Sequence, residues 1–142
     1  MLKKIFLASD HGGYRLKELV KDFLNKKKQP LEDLGRFSLD AVDYPDYAKL
    51  LSDKLKNDLN SQGILFCGTG IGISMAANRY SHIRAALCTT AEMASKSRKH
   101  NNANVLALGG RIITDSLATD IVNEFLNTDF EAGRHSLRVN KI

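Results

Sequence analysis

Short apolar runs alternate with helical stripes along this chain. Ile5 to Ala8 is an unbroken apolar run, the pattern of a strand covered on both faces. Leu16, Leu19, Val20, Phe23 and Leu24 follow at i, i+3, i+4, i+7 and i+8, which is one face of a helix. Lys26, Lys27 and Lys28 close that helix as a solvated last turn that complements its dipole. Leu31 to Leu34 reads as a short strand ending at Gly35. Pro45 suits a first helical position, and Tyr47, Leu51, Leu55 and Leu59 then recur every four residues. Gly63 to Cys67, Arg84 to Cys88 and Asn104 to Leu108 are three further strand candidates. The last clear stripe, Leu117, Ala118, Ile121, Val122, Phe125 and Leu126, is a helix that Thr114 or Asp115 can cap.

Five short strands alternating with helices predict an α/β fold. The expected architecture is one doubly wound (Rossmann-like) domain over residues 1–142. It has a five-stranded parallel sheet, strand order 2-1-3-4-5, with helices on both faces. In that order the topological switch lies between strands 1 and 3. Ligands bind there, beyond the carboxyl ends of the strands.

Composition narrows the class. The chain is 43 % hydrophobic and 26 % charged, which excludes disorder and fibrous folds. Its 142 residues can bury roughly two-thirds of the unfolded surface, so no disulfide or metal is needed for folding. Two cysteines, Cys67 and Cys88, are too few for a disulfide scaffold and point to a reducing compartment. The apolar stretch near the N-terminus is too short for a signal sequence, and no run approaches a membrane span. A cytoplasmic location and no membrane partner are expected. The formal net charge of +5 suits an anionic partner, either nucleic acid or a small phosphorylated metabolite.

Candidate chemistry follows the two switch-point strands. Ser9-Asp10-His11-Gly12-Gly13-Tyr14 comes after the first, and Cys67-Gly68-Thr69-Gly70-Ile71-Gly72 after the third. Glycines at 68, 70 and 72 let the backbone turn sharply and present N–H groups to an anion. The loop is neither a dinucleotide fingerprint nor a P-loop. A lone cysteine ending a buried strand is most often structural, but Cys67 directly precedes this nest. A thiol there can be held as thiolate by dipoles and cations and serve as base or nucleophile. Cys88 has no such setting and reads as core. His100, in Arg98-Lys99-His100-Asn101-Asn102, is either a helix C-terminal residue or a site group. Arg134 and Arg138, four apart, would share one helix face, as surface charge or as a clamp for a phosphate dianion. Arg111 follows Gly109-Gly110. Histidines 11, 82, 100 and 135 form no His-x-x-x-His pair and no Cys-x-x-Cys is present, so no metal site is expected.

Taken together, these stretches resemble the ribose-5-phosphate isomerase B family, which also contains galactose-6-phosphate isomerase subunits. The resemblance extends through Asp43-Tyr44-Pro45-Asp46-Tyr47-Ala48, Asn104 to Arg111 and Gly133-Arg134-His135-Ser136-Leu137-Arg138-Val139, essentially the whole chain. It implies a cofactor-free aldose–ketose isomerase that interconverts ribose 5-phosphate and ribulose 5-phosphate through an enediolate. By the same resemblance Cys67 is the base, His100 the ring-opening group with Asp10, and Gly68, Thr69, Gly70, Ile71 and Gly72 the enediolate nest. His11, Arg111, Arg134 and Arg138 match phosphate-binding positions, and Asn101 a sugar-binding one. In the family the active site lies between two subunits of a homodimer, sometimes within a tetramer. One departure is Ala132, where the family often has a glycine before Gly133. A hexose 6-phosphate such as allose or galactose 6-phosphate is the alternative substrate. The non-enzyme alternatives are a flavodoxin-like anion-binding module and a basic nucleic-acid binder. A phospho-acceptor signalling module of that fold would want clustered acids after strand 1, and a nucleic-acid binder a basic stripe with aromatics. The chain has neither, so no nucleic-acid partner is expected.

Overall fold

The computed structural model describes residues 2–142; of the expected domain only Met1 lies outside them. The predicted apolar runs become β1 (Ile5–Ser9), β2 (Leu31–Asp33), β3 (Gln62–Cys67), β4 (Ala85–Leu87) and β5 (Val105–Gly109). They pair in parallel throughout. Between and after them run α1 (Tyr14–Lys26), α2 (Tyr44–Asn57), α3 (Ile71–Ala77), α4 (Ala91–Lys99), α5 (Asp115–Leu126) and α6 (Arg134–Val139).

Alternation along the strands builds two cores. Ile5, Leu7, Ile64, Phe66, Leu106 and Leu108 face α1, α4 and α5. Phe6, Ala8, Leu65, Cys67, Val105 and Ala107 face α2 and α3. Both faces of the sheet are therefore covered, as expected. Pro45 lies in the first turn of α2, and Thr114 rather than Asp115 caps α5, its side chain accepting from the N–H of Leu117. Leu59 departs from its stripe: α2 ends at Asn57 and Leu59 is exposed. Among the described residues no helix is long and apolar enough to cross a membrane.

The strand order is 2-1-3-5-4, not the expected 2-1-3-4-5. Strand length and burial decide it. All five residues of β5 are buried and apolar or glycine, which suits a strand with a neighbour on each side. β4 has three half-buried residues preceded by Arg84, which suits a short edge strand. The exchange matters for the site, because it sets the end of β5 directly beside Cys67, in register with Gly109.

Candidate active site

Three loops converge at the carboxyl ends of β1, β3 and β5. The N–H of Asp10 donates to Phe66 O (3.2 Å), that of Gly110 to Cys67 O (2.8 Å) and that of Arg111 to Gly68 O (2.9 Å). These bonds continue the sheet past its last residues and lock the loops together. Two glycines make the close approach possible. A Cβ at Gly12 would sit 3.0 Å from Gly68 N, and one at Gly110 would sit 2.8 Å from Gly12 O. Gly70 takes φ +79°, and a side chain there would press on Leu87 and on the backbone of Leu108.

Cys67 is 4 % exposed, and its Sγ accepts the N–H of Gly70 at 3.1 Å. The N–H of Ile71 is taken by Thr69 Oγ1 at 3.1 Å. Two amides of the predicted nest are thus spent inside the loop, on the sulfur and on the threonine. Arg111 lies over the loop: a Cβ at Gly68 would be 3.3 Å from its Nη1. Asp10 is buried and one carboxylate oxygen accepts the N–H of Gly13 (3.0 Å), so it also shapes the turn into α1. His11 receives the N–H of Val42 on Nδ1 (3.2 Å). That acceptor role puts the proton of a neutral His11 on Nε2.

Asp10, His11, the 68–72 loop, Cys67 and Arg111 therefore form one constellation. His100, Asn101, Arg134 and Arg138 form another, at the opposite edge of the sheet. α4 runs back against the strands, and His100 is its C-cap. Shortly after it, Asn104 donates to Arg84 O and accepts from Gly63 N, at the beginnings of β4 and β3. β5 alone separates the levels of its two ends by about 13 Å. The N–H of Glu131 donates to Lys99 O (3.1 Å), which brings the start of α6 to the end of α4. Arg134 and Arg138 do share a helix, with both side chains exposed. Ala132 and Gly133, just before it, both have φ +58°.

Several neighbours of these groups escaped the sequence. Tyr44 lies against Gly72, where a Cβ would be 2.7 Å from the ring; its place in the Asp43-to-Ala48 stretch was the only signal. The rings of His100 and His135 stack with centroids 4.3 Å apart and planes 14° from parallel. Burial, then His100 and the arginines at 134 and 138, hold His135 below the usual imidazole range, against a smaller opposite pull from Glu131. Potential ligand atoms of His100, Glu131 and His135 lie within 4.8 Å of one another. No short-range spacing announces that cluster, because residue 100 comes from a different helix. Cys88 belongs to the core as expected, and burial pushes its thiol up to about 11 despite Ser97.

Residues 5–142 match the sequence model of a family described as Ribose/Galactose Isomerase. The ribose-5-phosphate isomerase B of Escherichia coli K12 is 40 % identical over 141 residues, 99 % of this chain and 95 % of that one. The crystal structure of a ribose 5-phosphate isomerase from Thermotoga maritima superposes with a TM-score of 0.96 at 51 % identity, covering 98 % of this chain and 96 % of that one. The ribose-5-phosphate isomerase B of Mycoplasma genitalium, solved with bound ribulose-5-phosphate, gives a TM-score of 0.95 at 46 % identity, covering 99 % and 94 % of the two chains.

Proposed function

The chain belongs to the ribose/galactose isomerase family, and from that premise we propose that it is an aldose–ketose isomerase interconverting D-ribose 5-phosphate and D-ribulose 5-phosphate. The observation that carries this reading is the meeting of a buried thiol, a glycine loop and Arg111 at the topological switch. In the open-chain aldose, Cys67 as thiolate takes the proton from C2. The C2–H electron pair becomes the C1–C2 double bond, and charge collects on the oxygen of C1. Free N–H groups of the 68–72 loop stabilise that oxygen, each worth about 2.7–4 kcal/mol in comparable sites. The proton returns to C1, and the C2 hydroxyl passes its own proton to the C1 oxygen, so that C1 ends as a hydroxymethyl group and C2 as the ketone. The phosphate carries about −1.5 to −2 charges, which His11 and the arginines hold as a remote handle.

Ring opening needs His100, which one chain keeps at the far edge of its own sheet. We infer that a complete site uses Cys67 of one protomer and His100, Asn101, Arg134 and Arg138 of the partner subunit, in a homodimer. A two-fold axis makes two such sites at once. Exposed apolar side chains border both half-sites. Ile71 and Met75 lie one turn apart on α3 beside Tyr44, and Leu137 stands between the two arginines on α6. The whole chain serves as one isomerase domain, and its two unpaired cysteines suit the cytoplasm.

The test is a panel of aldose phosphates offered to chelator-treated protein, followed by ketose formation. Ribose 5-phosphate is expected to be converted in preference to allose or galactose 6-phosphate. No conversion of any aldose phosphate would overturn the assignment. Mixing Cys67→Ala with His100→Ala tests the shared site. Neither turns over alone, and random reassortment restores about a quarter of wild-type activity. Continued silence of the mixture, with mixed dimers demonstrated by mass spectrometry, would refute sharing.

A further inference from the structure

We propose that His100, Glu131 and His135 form a binding site for a zinc-type divalent cation whose occupancy switches the isomerase off. Two imidazoles and a carboxylate are the ligand set that zinc and its neighbours prefer, with a position left open for water. The three groups already lie within 4.8 Å of one another, and Glu131 Oε2 is 3.9 Å from His135 Nε2.

The scaffold around them is built to keep them together. His135 is buried in the first turn of α6, and Glu131 stands four residues before it. The N–H of Glu131 is tied to Lys99 O, which anchors its backbone beside the end of α4. His100 caps that end, where the last carbonyls of the helix favour positive charge. Around a metal, ligand atoms spaced at bonding distances of about 2.0–2.2 Å sit nearer one another than 4.8 Å. Closing the set therefore needs a tilt of the half-buried His100 ring out of its stack and a rotation of the exposed Glu131 side chain. Arg134 and Arg138 oppose a dication, so the carboxylate of Glu131 decides whether it stays.

Ion binding stands on this cluster alone. The inhibition rests on the assignment of His100 to ring opening, because a neutral imidazole whose lone pair is given to a metal has none left to accept a proton.

The probe is Co²⁺, added to metal-free full-length protein and followed by its visible absorption, with Zn²⁺ as competitor. One equivalent of Co²⁺ per chain is expected to bind and to be displaced by Zn²⁺. Glu131→Gln is expected to weaken binding by about tenfold or more, and His135→Gln to remove it. Without metal, Glu131→Gln keeps wild-type turnover; with Zn²⁺ it resists the inhibition that stops the wild type. Absence of a saturable Co²⁺ site overturns the proposal. So does Zn²⁺ inhibition undiminished in Glu131→Gln, which would place the ion on the Cys67 thiol instead. If His135→Gln does not fold, the exposed Glu131 variant still decides. Co²⁺ binding in a protein that converts no sugar phosphate would keep the cation site and reject the isomerase.

Discussion

The backbone N–H of Val42 donates to Nδ1 of His11 at 3.2 Å. Val42 belongs to the segment between β2 and α2, so that segment chooses the tautomer of a candidate phosphate ligand. The other nitrogen is left as the donor toward an anion.

Replacing His11 separates its two nitrogens. Glutamine puts an amide where Nε2 was and is expected to keep most phosphate affinity. Asparagine reproduces only Nδ1 and is expected to raise KM about tenfold or more, the cost of one charge-assisted hydrogen bond. Steady-state kinetics of both variants check this. Equal KM values would remove His11 from the phosphate site.

Cys67→Ala is expected to lower kcat by about 10²–10⁴, the usual contribution of a positioned base. Binding of a substrate analogue, followed by calorimetry, is expected to survive. A variant with full turnover rejects the thiol as base.

Arg134→Ala is expected to act chiefly on KM for the phosphorylated sugar, because its guanidinium holds the handle and not the reacting carbons. Lysine keeps the charge but loses the planar fork, so it restores only part of the affinity. Unchanged kinetics in the alanine variant would take Arg134 out of the site.

Lys17 is fully buried, with Nζ 2.7 Å from Asp33 Oδ2 and 2.8 Å from Glu18 Oε1. Burial pushes the Asp33 carboxyl up, but Lys17, the N–H of Gly35 and Lys21 outweigh it and hold it below the ordinary carboxylate value. A carboxyl lowered in the folded state stabilises above its unfolded pKa of about 3.9, and that contribution fades as pH falls through the lower folded value. Asp33→Asn is expected to cost about 3 kcal/mol at pH 7. Urea unfolding at stepped pH measures it. The gap to wild type should narrow below about pH 4 as the native carboxyl protonates; a gap that stayed constant down to pH 2 would contradict the ion-pair account.

Ala132 sits at φ +58°, a conformation that costs a side-chain-bearing residue about 1–2 kcal/mol relative to glycine. Ala132→Gly is expected to stabilise the fold by about 1 kcal/mol, after the entropy of a freer unfolded chain is subtracted. A lower midpoint in urea would show the strain to be relieved some other way. Here the one departure from the family pattern coincides with a left-handed backbone.

The sequence alone determined the five strands, the helices α1, α2 and α5, their order along the chain and the loops at the switch. Apolar runs and helical stripes report which faces meet water, and that information is local. It also pointed to Cys67, Asp10, His11 and Arg111, whose motifs end adjacent strands. Leu59 shows where a local period runs out, since the stripe continued in sequence after α2 had ended. Only tertiary structure decided that β5 lies beside β3, because the competition between strands for a central place depends on their relative length and burial. It likewise decided that His100 stacks on His135, and that His100 lies an entire strand away from Cys67. Direction along a helix is set by how the chain returns across the sheet, and no residue spacing records where that return ends.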